Sequence, residues 1–274
     1  MLILPQNGII PQNYFKDYLL NLLHALILGI VEGITEFLPI SSTGHLILTA
    51  QVLGLKQSEF IKSFEITIQL GAILAVVFLY WKQLFLNLEA FKRLTVAFIP
   101  TAILGFVYYK IIKKFLFAGD MIVLWSLFLG GIFLIFFEWR HKEKEGALED
   151  LSRLSYGKAA LIGVFQSIAM VPGVSRSAAT IVGGLILGMK RKTVVEFSFL
   201  LAVPTMLAAT GFDLLKNTSS FGQTQFIFLA AGFVTSFTVA ILSIQCFLHF
   251  VKKHSLILFG VYRIVLALLF WFVI

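Results

Sequence analysis

Six stretches of this chain are long, apolar and almost uncharged: about Phe64–Trp81, Leu94–Tyr109, Met121–Glu138, Glu196–Phe212, Gln225–Phe250 and Leu256–Val273, with at most one charged residue in each. Hydrocarbon has no water to satisfy backbone N–H and C=O groups, so a chain crosses it only as helices or as a closed barrel. Runs near the ~20 residues that a helix needs to cross a bilayer select helices. Composition agrees, since 59% of residues are hydrophobic and 13% charged, where a soluble domain has about 25% charged. The expected class is an all-α integral membrane protein. A single cysteine, Cys246, excludes an intramolecular disulfide and argues against a thiolate metal cluster. The formal charge of +8 fits loops facing anionic lipid and does not imply nucleic acid. Met1–Tyr18 has two prolines and no basic segment, so it does not read as a cleaved signal peptide.

One apolar region departs from the rest. Gly29-Ile-Val-Glu32-Gly-Ile-Thr-Glu36-Phe-Leu-Pro39-Ile-Ser41-Ser42-Thr43-Gly44-His45 sets two carboxylates, hydroxyls and an imidazole inside it. Ionisable groups at membrane depth are expensive and mark a functional site. Glu32 and Glu36 are four apart, so a helix puts both on one face. Gly29 and Gly33 share that spacing and let another backbone approach closely. Pro39 ends the helix, and Ser41, Ser42 and Thr43 are N-cap candidates for a second one. The positive end of that second helix points back at the carboxylates and makes an anion site. Carboxylates, hydroxyls and an anion site together suggest metal-assisted phosphate chemistry.

The two halves repeat. Pro39-x-x-Ser42 matches Pro172-x-x-Ser175 at an offset of 133, and so do Phe64 with Phe197 and Leu74-Ala75 with Leu207-Ala208. Gly29-x-x-Glu32 matches Gly163-x-x-Gln166 at 134. The expected layout is one membrane domain over residues 1–274. Repeat one covers about 19–138, a charged cytoplasmic loop about 139–156, and repeat two about 157–273. Each repeat is a broken helix pair followed by three spans. If each broken pair is a re-entrant hairpin, each half crosses three times and the second half is inverted. That gives six transmembrane helices plus two re-entrant hairpins in an inverted-topology repeat, a known carrier architecture. Thirteen basic residues then lie on the side of the 139–156 loop and seven on the other. The excess places the loop in the cytoplasm, so the mouth of the first hairpin faces outward.

The second hairpin holds Gln166 and Pro172-Gly-Val-Ser175-Arg176-Ser177-Ala-Ala-Thr180. Pro172 and Gly173 break a helix, and Ser175 or Ser177 caps the next. Arg176 opens that helix, and its guanidinium fork suits phosphate oxygens.

Glu-x-x-x-Glu-Phe-Leu-Pro-x-Ser-Ser-Thr-Gly-His at 32–45 and Pro-Gly-x-Ser-Arg-Ser-x-x-Thr at 172–180 resemble the two signatures of the bacterial undecaprenyl-diphosphate phosphatases of the bacitracin-resistance type. The runs at 64–71 and 196–204 are also similar to that family, so the resemblance covers nearly the whole chain. It implies hydrolysis of undecaprenyl diphosphate to the monophosphate at the outer face of the bacterial plasma membrane. That reaction recycles the lipid carrier of peptidoglycan synthesis. The competing class is a lipid-phosphate transporter or flippase. The resemblance also implies a divalent cation, with Mg2+ or Ca2+ suited to oxygen ligands. Its implied partners are a polyprenyl diphosphate lipid and membrane lipid, with a homodimer among the allowed states. The functional residues it implies are Ser42, His45, Glu32, Glu36 and Arg176.

Each residue has a plain reading beside this one. Glu32 and Glu36 are the expected metal ligands, with general base as an alternative role. Ser42 is the expected nucleophile, assisted by His45 or a glutamate, while His45 itself is the other nucleophile candidate. Ser41, Thr43, Ser175, Ser177 and Thr180 are at least helix caps and are expected to donate to phosphate beside Arg176. Gln166 takes the place of Glu32 in the repeat without its charge, so a packing or hydrogen-bonding role is expected. Arg263, within the last apolar stretch, is expected to pair with a buried acid or a carbonyl, chiefly for structure.

Overall fold

Polar caps start the helices at the ends of the apolar runs. The Asn21 side chain accepts from the His24 amide at 2.8 Å, and Ser58, Asn87, Ser155 and Ser175 do the same for their own helices. The computed structural model describes residues 20–56, 58–108, 120–143, 146–216 and 223–272. In that part the helices are α1 (Leu22–Thr35), α2 (Ser42–Val52), α3 (Glu59–Phe85), α4 (Leu88–Val107), α5 (Asp120–Arg140), α6 (Tyr156–Ser167), α7 (Arg176–Ile186), α8 (Arg191–Lys216), α9 (Gln223–Val251) and α10 (Ile257–Trp271). The Met1–Tyr18 extension and the basic residues Lys110, Lys113, Lys114 and Lys144 lie outside the described residues.

Five helices are long and apolar enough to cross a membrane, over Phe60–Phe85, Leu88–Val107, Met121–Arg140, Arg191–Gly211 and Gln225–Val251. The sixth expected span, α10, is apolar but has 15 residues, and Val273 lies outside the described part. The chain is a multi-pass helical membrane protein. Phe78, Phe85, Phe106, Phe133 and Leu242 stand exposed on the long helices, as apolar side chains facing lipid do.

Pro39 and the Pro172-Gly173 pair break the chain where expected. α1 and α2 have 14 and 11 residues, so they reach only roughly 21 and 16 Å at 1.5 Å per residue. Neither crosses the ~30 Å hydrocarbon core alone. The contacts of the halves mirror each other: α1 packs on α9 of the other half, and α6 packs on α4. Glycine makes both seams. A Cβ at Gly29 would stand 2.7 Å from the Gly232 carbonyl oxygen, and one at Gly163 would overlap the Ala97 carbonyl oxygen. Phe64 and Phe197, matched in the repeat, are both fully buried.

The charged loop differs from the expectation. α5 runs through Trp139 to Arg140, and Leu151 and Leu154 are buried in the main core. The loop folds back because Leu148 bridges Met189 and the Thr193 hydroxyl donates to the Glu149 carbonyl. Two apolar anchors in a polar segment outweigh its charge pattern.

Candidate active site

The first hairpin turns on strain. α1 closes with the Glu36 amide donating to the Glu32 carbonyl oxygen at 3.0 Å, so Glu32 and Glu36 lie one turn apart. Phe37 is fully buried and packs edge-on against Phe199, which fixes the end of the helix. Ser41 then takes φ 71°, ψ 93° and is the one non-glycine residue with positive φ among the described residues. Such a conformation costs about 1–3 kcal/mol and persists where the surroundings hold it. It reverses the chain so that the Ser42 hydroxyl donates to Glu36 Oε2 at 2.5 Å.

The second hairpin supplies the cation. Gly173, at φ 86°, makes the turn, Ser175 caps α7, and Arg176 opens it. Arg176 Nη2 donates to Glu36 Oε1 at 3.2 Å, and Nη1 to the Ser198 carbonyl oxygen at 2.9 Å. Its buried Nε has no partner. Glu36 therefore holds the Ser42 hydroxyl on one oxygen and the Arg176 guanidinium on the other. A cavity of about 110 Å³ opens there, with Ser41, Ser42, Thr43, Ser175, Arg176 and Glu36 in its wall beside Gln69 of α3 and Met206 of α8. The N-termini of α2 and α7 both reach this cavity, which suits an anion.

Glu32 is different. It is fully buried, and neither carboxylate oxygen has a hydrogen-bond partner. Burial is the first cost to its charge, and the Glu36 carboxyl beside it adds to that cost. A buried carboxylate with no donor is costly unless a proton or a cation settles it. The donors at hand are carboxylate and hydroxyl oxygens, which suit Mg2+ or Ca2+. No cluster of three His, Cys, Asp or Glu stands ready for a metal among the described residues. A hard cation there would draw its remaining ligands from phosphate and water, as Mg2+ commonly does.

His45 has both ring nitrogens engaged. Nδ1 lies 2.7 Å from the Ser41 carbonyl oxygen, which only accepts, so Nδ1 carries a proton. Nε2 lies 2.7 Å from the Tyr262 hydroxyl, and the two rings are nearly parallel. The sequence leaves open whether His45 or a glutamate assists Ser42. In the structure the group on Ser42 is Glu36, and His45 braces the strained Ser41. Tyr262 has no signal in the sequence beyond its place next to Arg263, because its contact spans 217 residues.

The remaining hydroxyls divide. Ser177 donates to the Phe37 carbonyl at 2.7 Å and Thr180 to the Arg176 carbonyl at 2.9 Å, and both residues are fully buried. Neither lines the cavity, although the sequence expectation set both beside phosphate. The Phe37 carbonyl, past the end of α1, needs a donor and Ser177 supplies it, while Thr180 bonds back one turn within α7. Ser175 accepts from the Ala178 amide and donates to the Leu38 carbonyl at 3.4 Å. Gln166 donates to the Thr101 and Thr205 hydroxyls at 2.9 and 3.0 Å, a hydrogen-bonding role in line with its lost charge.

Comparison with known proteins adds chemistry to this geometry. Residues 25–269 match the family described as bacitracin resistance protein BacA. A protein of Aquifex aeolicus (strain VF5) named undecaprenyl-diphosphatase is 56% identical over 246 residues, which cover 90% of this chain and 96% of that one. Proteins of the same name from Sulfurihydrogenibium sp. (strain YO3AOP1) and Wolinella succinogenes are 56% and 50% identical, with 98% of each covered.

Proposed function

We propose that this chain, which belongs to the bacitracin resistance protein BacA family, hydrolyses undecaprenyl diphosphate to undecaprenyl phosphate and inorganic phosphate. The observation that carries the mechanism is the bridging of Ser42 and Arg176 by one carboxylate, Glu36, across the two halves of the chain. The terminal phosphate enters the cavity and takes the Arg176 fork from Glu36. Amides at the starts of α2 and α7 and the Thr43 hydroxyl face its other oxygens. Glu36 accepts the Ser42 proton as Oγ attacks the terminal phosphorus. The anhydride P–O bond breaks, and undecaprenyl phosphate leaves with the bond's electron pair. The departing undecaprenyl phosphate takes that proton from Glu36, and the freed carboxylate then accepts one from water as the water displaces Ser42, passing it back to Oγ as phosphate is released. Glu32, with Glu36 beside it, would hold a divalent cation. Bound there, the cation neutralises diphosphate charge.

We further read the fold as six crossings and two re-entrant hairpins in inverted repeats. The mirrored α1–α9 and α6–α4 contacts support this. The thirteen-to-seven basic asymmetry supports a plasma-membrane protein whose site opens outward. Phosphate release from purified protein in detergent tests the reaction, because a carrier needs two compartments. Release with added Mg2+ or Ca2+, abolished by chelator, is the expected result. No release under any cation would sink it. For orientation, a cysteine at Gly146 in a Cys246→Ser background should resist an impermeant thiol reagent in intact cells. Ready labelling would invert the topology.

A further inference from the structure

The buried cation that the reaction does not use is Arg263. It is 1% exposed, it lies within α10, and among the described residues it pairs with no carboxylate. Instead it faces four carbonyl oxygens from three separate segments. Nη2 donates to Ser126 at 2.9 Å and to Gly173 at 3.1 Å, Nη1 to Pro39 at 3.4 Å, and Nε to Leu127 at 3.4 Å. Pro39 and Gly173 are the turning points of the two hairpins, and Ser126 and Leu127 belong to α5. The position across from the guanidinium is Gly130, where any Cβ would overlap Nη2. The repeat places Gly130 opposite Arg263 at the same offset of 133 that relates the hairpins.

The first hairpin's tip is held more widely still. Three successive carbonyls, of Phe37, Leu38 and Pro39, accept from Ser177, Ser175 and Arg263, all in the second half of the chain. The Phe37 and Pro39 carbonyls are groups that a broken helix leaves without donors, while Leu38 also accepts from the Ile40 amide. The next residue but one is the strained Ser41, and the one after it is Ser42.

We infer that Arg263 is a positioning residue: it pins both hairpin tips to α5 and α10, and so sets the distance between Ser42 and Glu36 in one half and Arg176 in the other. A guanidinium suits this because its planar fork carries five donors that reach several acceptors at once, and it stays charged when buried. The same clamp ties the two repeats together at the place where a carrier of this architecture would let them slide. The inference rests on the hydrolase reading for its kinetic arm only.

Arg263→Lys, Arg263→Met and Gly130→Ala test it in the full-length protein. Gly130→Ala removes no polar group and displaces the guanidinium by bulk alone. Each should lower kcat with a much smaller change in KM, by ~100-fold for Arg263→Met, the loss that ~1 Å of misplacement brings. Arg263→Lys, with three donors and no fork, should fall between Arg263→Met and wild type. Amide hydrogen exchange, read without any substrate, should quicken at residues 37–45 and 172–178 together in all three variants. A residue that merely packs α10 on α5 would lower thermal stability while kcat at permissive temperature and exchange at the tips stayed near wild type, and that result would overturn the inference. If wild-type protein released no phosphate, the hydrolase reading would fall, while the exchange data would still decide the clamp.

Discussion

Two hairpins built on one repeat carry opposite kinds of buried polar group. Gln166 of the second donates to two threonine hydroxyls through its amide nitrogen, and its Oε1 alone is left without a partner. Glu32, its counterpart in the first, is equally buried and has no partner for either oxygen. The first turn is strained at Ser41, whereas the second uses Gly173, which adopts positive φ without a steric penalty. The hydroxyls of the second mostly satisfy carbonyls, while the Ser42 hydroxyl of the first donates to a carboxylate. The matching motifs at 39–42 and 172–175 give two similar helix breaks. The first holds unsettled charge and strain for chemistry, and the second has become its support, Arg176 excepted.

The sharpest way to break this division is at Glu36 and Ser42. Glu36→Gln and Ser42→Ala should each lower phosphate release by about 10²–10⁴-fold, with thermal unfolding close to wild type. If Ser42→Ala stays active and a His45 variant does not, the nucleophile has been misassigned.

Arg176 is the second hairpin's charged group in the cavity wall, beside Ser175. Arg176→Lys keeps the charge but loses the fork. It should cost roughly 2–4 kcal/mol of transition-state stabilisation, read from kcat/KM at saturating cation. A near-normal rate would make the second hairpin a scaffold throughout.

The Glu32 and Gln166 pair compares the two burials directly. Glu32→Gln removes a buried carboxyl that no donor serves, so the fold should be no less stable while the dependence on cation shifts to higher concentration or is lost. Gln166→Ala should do the reverse: activity within about twofold, and stability lower by roughly 1–3 kcal/mol because Thr101 and Thr205 lose their partner. Equal cation titrations for wild type and Glu32→Gln would refute the assignment of Glu32.

Tyr262→Phe should cost less, near the ~1 kcal/mol of one hydrogen bond. It should appear in kcat, because His45 braces Ser41 and with it the approach of Ser42. An unchanged kcat would leave the His45–Tyr262 contact a matter of packing.

The smallest effect lies far from both hairpins. Lys190 pairs with Glu149 at 2.6 Å and holds its carboxyl below the ordinary value of 4.5. A lowered folded-state value stabilises the fold above the ordinary carboxylate range, and the gain is lost as pH falls through the lowered value. Both groups are exposed, so Glu149→Gln should shift acid unfolding only slightly, and less at high salt.

Much of the site was legible because ionisable groups among apolar residues have few bland explanations. Glu32, Glu36, Ser42 and Arg176 were found in this way, and three of them meet. Ser177 and Thr180 were read as phosphate donors because a sequence shows that a hydroxyl exists without showing which acceptor it reaches. Tyr262 was invisible, since one tyrosine in a 15-residue apolar helix is unremarkable until His45 is beside it. The loop at 139–156 reads as charged from its composition, and nothing local marks Leu151 and Leu154 as the residues that anchor it.

What the sequence alone determined was local: helices forced by hydrocarbon, breaks forced by proline, caps supplied by serine and asparagine, and a repeat whose glycines mark the seams. Those follow from the chemistry of a few adjacent residues and hold wherever the segment lies. Only the tertiary structure decided which partners share Glu36, why Glu32 has none, and where Arg263 sends its donors. The Arg176–Glu36 contact and those of Arg263 to the two hairpin tips join groups 90 to 224 residues apart. In a buried site that meeting sets the energy, because a polar group there has few other partners to turn to.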